Sequence, residues 1–160
     1  MKINPNNDGV DHINVYSNGK TELGRMFSNF YRFPIMTKDG YFNSVESYWF
    51  WLGISSECQN RDQLRNLSGY EAKKFGTQLR EFYPAKDPDF EDKIIRAIWY
   101  KVRRNAFMFK EEYRELPLAH YYVLQNGKIM NVYGKYTFMM EAEERMKKYI
   151  YENVLLKKEW

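Results

Sequence analysis

The chain has 160 residues, with 25 Lys plus Arg against 21 Asp plus Glu, a net charge of +4 and a pI near 9.0. With 44% apolar and 18% aromatic residues it has material for a packed core, which excludes a disordered chain, and its length suits one domain spanning 1–160. The single cysteine, Cys58, excludes an intramolecular disulfide, and the longest aromatic-rich run, Tyr48 to Ile54, is far below the roughly 18 to 20 apolar residues of a membrane span.

Residues 1–9 carry no apolar stretch of the kind a secretory signal needs, so a cytoplasmic protein is expected, and residues 1–11 are expected to fray. His12 to Tyr16 reads as a short strand, closed by Ser17, Asn18 and Gly19 as turn chemistry. Lys20 to Phe30 reads as irregular, and Arg32 to Met36 followed by Asp39-Gly40 as further short strands and turns. Asn43 with Glu46 fits a capping box, in which each residue satisfies an amide of the other's turn, ahead of a helix over Ser44–Leu52. Ser68 with Glu71 repeats the pattern before a helix over Tyr70–Phe82. Asp87-Pro88 opens the longest helix, whose apolar positions Ile94, Ile95, Ile98, Val102 and Ala106 recur at helical spacing. His120 to Leu124 and Lys128 to Tyr133 flank Asn126-Gly127, the strongest short-range hairpin signal because both residues tolerate positive φ. A last helix starts near Thr137 with Phe138, Met139, Ala142, Met146 and Ile150 on one stripe, and 157–160 is expected to fray. The sum is an α+β chain, mainly α-helical, with a few short strands.

Several chemistries lose their usual support. His12 and His120 lie far apart and the lone cysteine completes no zinc spacing, so no metal and no cofactor is expected. There is no Gly-Lys-Ser/Thr phosphate loop, no G-x-G-x-x-G and no G-x-S-x-G. What stands out is Lys20 to Trp51, where Lys20-Thr-Glu-Leu-Gly24-Arg25-Met-Phe-Ser28-Asn29-Phe30 carries charges, a glycine and an amide, and Ser44-Val-Glu46-Ser-Tyr-Trp49-Phe-Trp51 starts a helix with a carboxylate among rings. A carboxylate beside aromatic surface is desolvated, which raises its pKa, and it lies within short reach of a bound ring system.

Thr21 to Arg25, Ser28-Asn29-Phe30, Asp39-Gly40 and Ser44-Val-Glu46 together resemble the opening signature of the NADAR family, also called YbiA-like. The resemblance continues through Glu71-Ala-Lys-Lys-Phe-Gly76, Lys93 to Asn105 and His120-Tyr-Tyr-Val123, and so covers nearly the whole chain. It implies a YbiA-like domain and an N-glycosidase that hydrolyses a ribosyl C–N bond. The substrate would be ADP-ribose on guanine of nucleic acid or, alternatively, ribosylamino-pyrimidine phosphates of riboflavin synthesis. The resemblance also assigns the catalytic glutamate, which falls on Glu46.

The residue types suit that chemistry. Cleaving a ribosyl C–N bond builds positive charge on the sugar, so Glu46 can stabilise it or activate the attacking water. Asn29 can hold ribose hydroxyls or orient the water; Lys20, Arg25 and Lys101 can pair with phosphate; Trp49 or Trp51 can stack on the base. Gly24, Ser28, Phe30, Asn131 and Tyr133 complete the candidate substrate-binding set.

Structural roles compete for each position: a cap for Glu46, core packing for the tryptophans, a turn for Asn29, a strand-edge hydrogen bond for His120. Arg103 with Arg104, and Glu141, Glu143 and Glu144, read as solvated helix faces. The chain departs from the family at Lys86-Asp-Pro-Asp-Phe90, where many members carry a tryptophan, and at Asn131-Val-Tyr133-Gly134, where they carry Asp-x-x-Trp-Gly, leaving Asn131, Glu141 or Glu144 to complete the site. The reading from another class is a non-catalytic nucleotide or nucleic-acid binding module. The sequence leaves the oligomeric state open.

Overall fold

The computed structural model describes residues 2–155. The 157–160 tail that the sequence expects to fray lies outside the described residues. The fold is α+β and mainly helical, and its contacts group into two compact units, residues 1–28 with 102–160, and residues 29–101.

In the first unit, the Lys20 to Phe30 stretch is not irregular. It contains α1 (Glu22–Phe27), opened by Thr21, whose hydroxyl accepts the Gly24 N–H at 2.9 Å. Leu23, Met26 and Phe27 form its buried face. Gly24 is there for closeness: a Cβ would stand 2.2 Å from the Asn14 carbonyl oxygen. The strand expected over His12–Tyr16 shrinks to β1 (Ile13–Asn14), paired in parallel with β4 (Leu118–Ala119). Asn14 extends the pairing through its side chain, which accepts the Tyr121 N–H and donates to the Tyr121 carbonyl, each at 3.0 Å.

The start of the chain is tied down where fraying was expected. Asn4 caps a short turn over Pro5–Asn7, and the Asp8 carboxylate accepts the backbone N–H groups of Asn14 and Lys20, both at 2.9 Å. The hairpin of β5 (Tyr121–Val123) and β6 (Ile129–Asn131) forms with Tyr122 opposite Met130. Its loop differs from the two-residue turn expected. Leu124 N–H bonds the Lys128 carbonyl and Gly127 N–H bonds the Leu124 carbonyl, giving a three-residue loop in which Gly127 alone takes a positive φ, +80°. His120 makes the strand-edge hydrogen bond expected of it, donating from Nδ1 to the Val15 carbonyl at 2.7 Å, and burial holds its pKa below the ordinary value. Helix α5 (Thr137–Tyr149) buries Met139, Met140, Ala142 and Met146 and passes into a wider turn over Ile150–Val154.

In the second unit, β2 (Ile35–Thr37) and β3 (Gly40–Phe42) form a hairpin, followed by α2 (Val45–Leu52) and α3 (Gly69–Phe82). Helix α4 (Phe90–Arg104) carries the chain out of this unit; Ile94, Ala97, Ile98 and Lys101 line its buried stripe there. Ile95 is only half-buried, and Ala106 lies beyond the helix end.

Both capping boxes expected from sequence are revised. The box on α2 is made by Ser44 and Ser47, not Asn43 and Glu46: Ser44 Oγ accepts the Ser47 N–H at 3.2 Å, and Ser47 Oγ accepts the Ser44 N–H at 3.3 Å. Asn43 instead turns its amide to the Asn66 carbonyl at 2.8 Å. On α3, Ser68 makes no capping bond with its side chain.

Lys93 is the polar pin of this unit. Its ammonium lies 2.6 Å from Asp87 and 3.1 Å from Asp39, and Asp39 also accepts the hydroxyl of buried Tyr48 at 2.7 Å. Burial opposes ionisation of Asp39, yet the hydrogen bonds from Tyr48 and Lys93 outweigh it and hold its pKa below the ordinary value. The Lys93 bond does the same for Asp87. The side chain of Lys93 is only 11% exposed, so removing it leaves two carboxylates facing one another without their shared cation. Lys93→Met should cost about 2 kcal/mol at pH 7, between the values for exposed and buried pairs. Both carboxylates have depressed pKa values, so the loss should shrink as pH falls below their ordinary range near 3.8. Urea titrations at pH 7 and pH 3 check this, and an equal loss at both would rule out the charged pin.

Candidate functional site

The first turn of α2 sets the site. Ser44 and Ser47 satisfy its amides from within, and the Asn29 carbonyl accepts the Glu46 N–H at 3.0 Å. The S-N-F and S-V-E elements, 17 positions apart from Asn29 to Glu46, therefore meet through this bond. Because Ser47 does the capping, the Glu46 carboxylate is released from the structural role that its position suggested.

Helix α3 packs on α2 at Gly76. A Cβ there would sit 2.4 Å from Phe50 Cγ, so the absence of a side chain lets the Phe50 ring fill the dent. One turn before this crossing stand Glu46 on α2 and Lys73 on α3; one turn after it stand Gly53 and Arg80. The Arg80 guanidinium lies over the Phe50 ring at 4.9 Å, and its stem lies 3.5 Å from the place a Gly53 Cβ would take.

Glu46 is half-buried beside this packing. Burial pushes its carboxyl from 4.5 up to about 7, against the pull of Lys73, Arg80 and Lys101, which act through space. The helix N-terminus also favours an anion, but by only roughly 0.3 to 1 kcal/mol. Desolvation wins, and the group stands near half ionisation at neutral pH. That is where a general base or acid works best.

The other candidates in this unit fall as follows. Lys101 is fully buried on the inner stripe of α4, so it acts on Glu46 from inside the protein. Trp49 is half-buried and meets Phe90 edge-on with ring centres 4.8 Å apart. This pair lines a cavity of about 560 Å³ that also takes in Gly53, Arg80 and Pro88. Trp51 is a core residue: its indole N–H bonds Asp62 at 2.9 Å and Arg61 stacks on it at 3.4 Å. Phe30 packs near Gly69 at the start of α3.

Lys20, Gly24, Arg25, Ser28, Asn131 and Tyr133 belong to the first unit. Lys20 is exposed, and its ammonium reaches the Asn6 carbonyl at 3.3 Å. Arg25 donates to the Gly19 carbonyl at 2.7 Å, and Ser28 ends α1. Asn131 is exposed and accepts the Tyr133 N–H at 3.0 Å, a local turn. Burial and the neighbouring Glu144, Glu141 and Glu143 raise the Tyr133 pKa.

The final helix corrects the reading of its acids as a solvated face. Glu143 is fully buried, and Glu144 is half-buried, with its carboxylate accepting the Leu118 N–H at 2.6 Å. Only Glu141 is exposed. Sequence reasoning missed Lys73 and Arg80 as neighbours of Glu46. Their signal was their spacing of three and four residues around Gly76, a glycine in the interior of a helix.

The packing contact at Gly76 can be tested alone. Gly76→Ala should gain helix propensity of about 1 kcal/mol but lose more through the collision with Phe50, for a net destabilisation of about 1 to 2 kcal/mol. Gly76→Ala with Phe50→Leu should recover part of the loss. Thermal melts of the single and double variants measure this, and a neutral single variant would show that the dent carries no weight.

Among the described residues, no cluster of three or more His, Cys, Asp or Glu is placed to hold a metal, and no helix is long and apolar enough to cross a membrane. No family model matches the sequence, and no curated protein matches it. A mainly helical α+β chain with a half-ionised carboxylate in the first turn of a helix is the class that fold and site define. The NMR structure of the E. coli protein YbiA superposes on it with a TM-score of 0.58 at 19% sequence identity, over 93% of this chain and 91% of that one. The chain has the YbiA-like fold that the sequence resemblance implied.

Proposed function

We propose that this protein is an N-glycosidase that hydrolyses a ribosyl C–N bond in a phosphorylated ribosyl nucleotide, with ADP-ribose joined to guanine of nucleic acid as the preferred substrate. The observation that carries the reading is Glu46. Its carboxyl is released from capping by Ser47, raised to about 7 by burial, and flanked by Lys73 and Arg80.

Ionised, Glu46 offers a negative charge to the oxocarbenium-like sugar or takes a proton from the attacking water. Water adds at the ribosyl carbon, the bond to the base nitrogen breaks with its electron pair, and the base leaves carrying a proton. Lys73 and Arg80 are set to meet phosphate oxygens beside the reacting sugar, and Trp49 to meet a ring. The YbiA-like fold and the S-N-F and S-V-E elements support the same assignment.

The test is to incubate wild type and Glu46→Gln with ADP-ribosylated guanine in DNA and, separately, with ribosylamino-pyrimidine phosphates, and to measure base release by chromatography. Wild type should release base from the first, and the variant should not. Equal release by the two folded proteins would overturn the reading, and release from the pyrimidine substrate alone would move it to the riboflavin branch.

A further inference from the structure

A second cavity lies on the far side of α2 from Glu46. It has a volume of about 350 Å³ and is walled by β2, the turn after it and the first three turns of α4. Tyr48 reaches its wall from α2, and at 3.6 residues per turn its side chain leaves the helix about 160° around the axis from that of Glu46. Two kinds of surface meet there. Ala97, the rings of Tyr48 and Tyr100 and the Met36 thioether offer apolar contact. Against them stand the cations Lys38, Lys93 and Arg96, with Asp92 as the one carboxylate that lines the cavity. The Lys93 ammonium uses two N–H groups on Asp87 and Asp39, neither of which lines the cavity, and its third N–H has no acceptor among the described residues. Lys38 forms no ion pair among the described residues, and it adds to the Lys93 bond in pulling the Asp87 pKa down, so it stands on the same side. Arg96 holds Asp92 at 2.9 Å, but both are well exposed, and such a pair is weak and readily exchanged.

We propose that this cavity is a binding site for a nucleoside monophosphate, separate from the Glu46 site, with the phosphate on Lys38, Lys93 and Arg96 and the base against Tyr100 and Met36. Three cations against one carboxylate call for an anion, and a phosphate presents three acceptor oxygens to them where a carboxylate presents two. The apolar walls call for a flat body beside that anion. Inorganic phosphate alone would leave those walls wet, and a nucleoside alone would leave the cations unanswered. The volume stands at the small end of the roughly 300 to 1,000 Å³ of small-molecule sites, which suits one ring system with one phosphate better than a dinucleotide. The proposal does not depend on the N-glycosidase reading.

The experiment titrates isotope-labelled protein with AMP and follows the amide NMR signals, with adenosine and inorganic phosphate as separate arms. AMP should move the signals of residues 36–38 and 92–97, and each of the other two arms should act there at least tenfold more weakly. Lys38→Glu and Arg96→Glu should each weaken AMP binding, read at those signals, by about tenfold or more, the ordinary worth of a hydrogen bond to a charged group. Lys73→Glu, beside Glu46, should leave it unchanged. All three residues are exposed, and melts without ligand confirm that the variants fold.

The second readout is stability. A ligand that bridges the hairpin to α4 stabilises the fold by mass action, so AMP at ten times its Kd should raise the melting temperature of wild type by about 4 °C and that of Lys38→Glu by far less. The site is overturned if AMP moves none of these signals, or if Lys73→Glu abolishes the response while Lys38→Glu and Arg96→Glu keep it, which would place the nucleotide at Glu46. It is overturned equally if phosphate binds as tightly as AMP, since the base would then have no part, or if adenosine does, since the cations would have none. Base release in the hydrolase assay stands or falls apart from all of these results.

Discussion

Glu46→Gln should reduce turnover by two to four orders of magnitude and, in the same protein, raise the stability of the fold at pH 8 by about 3 kcal/mol. The first effect is the ordinary worth of a positioned acid or base. The second follows from the same burial. The Glu46 carboxyl has a pKa of about 7 in the folded chain against 4.5 without burial, so between these values the native state holds a proton that the unfolded chain releases. Stability contributed by this group is present below pH 4.5 and is lost as pH rises through 7, by about 1.4 kcal/mol for each unit of the difference. Glutamine has the shape of the protonated acid and no charge to desolvate. The variant should therefore melt roughly 10 °C above wild type at pH 8 and close to wild type at pH 4. Denaturant titrations at the two pH values, run beside the base-release assay, check both effects. A variant that is less stable at pH 8 would mean that the carboxylate is part of the scaffold, and loss of turnover would then say little about chemistry.

That coupling explains why an arrangement with an energetic cost persists at the start of α2. A structural residue in the first turn of a helix would cap an amide and ionise below its normal value. Glu46 does neither, while Ser44, two positions before it, and Ser47, the next residue, do the capping. A destabilising group held in place by its surroundings points to use.

Much of the fold was legible from periodicity. The long helices α4 and α5 follow apolar stripes, and the start of α2 is correct although the capping partner is not, because polar residues at 43, 44, 46 and 47 (Asn43, Ser44, Glu46 and Ser47) offer more than one box. Helix α1 was hidden because Gly24 reads as a breaker until Asn14 is seen pressed against it. Strands of two residues such as β4 contain no alternation to detect.

At the candidate site, Glu46 and Asn29 stand out in the sequence because their order and separation resemble a known pattern, and the structure joins them through the Glu46 N–H and the Asn29 carbonyl. Lys73 and Arg80 do not stand out, since an exposed cation on a helix looks the same whether it faces water or a carboxylate. What distinguishes them is the Phe50–Gly76 crossing, a contact between residues 26 positions apart. Lys101 and Glu143 were misplaced for the converse reason: they occupy inward helix positions where charge is rare, and residue type outweighed periodicity.

The pH dependence of hydrolysis tests the same carboxyl without altering it. If Glu46 works as an anion, kcat/KM should rise tenfold per pH unit below about pH 7 and level off above it, leaving activity at pH 5 about a hundredfold under the plateau. Substrates joined through a pyrophosphate diester keep their charge over this range, so the limb belongs to the enzyme. Lys73 and Arg80 pull the Glu46 pKa down; Lys73→Met or Arg80→Met should shift the limb toward alkaline pH, by a fraction of a unit because both cations are exposed and screened by salt. Bound phosphate adds negative charge nearby, so the limb in kcat should lie above the limb in kcat/KM. A profile that falls through pH 7 would assign Glu46 as the proton donor to the leaving base, and one that stays flat from pH 5 to pH 9 would remove it from the reaction.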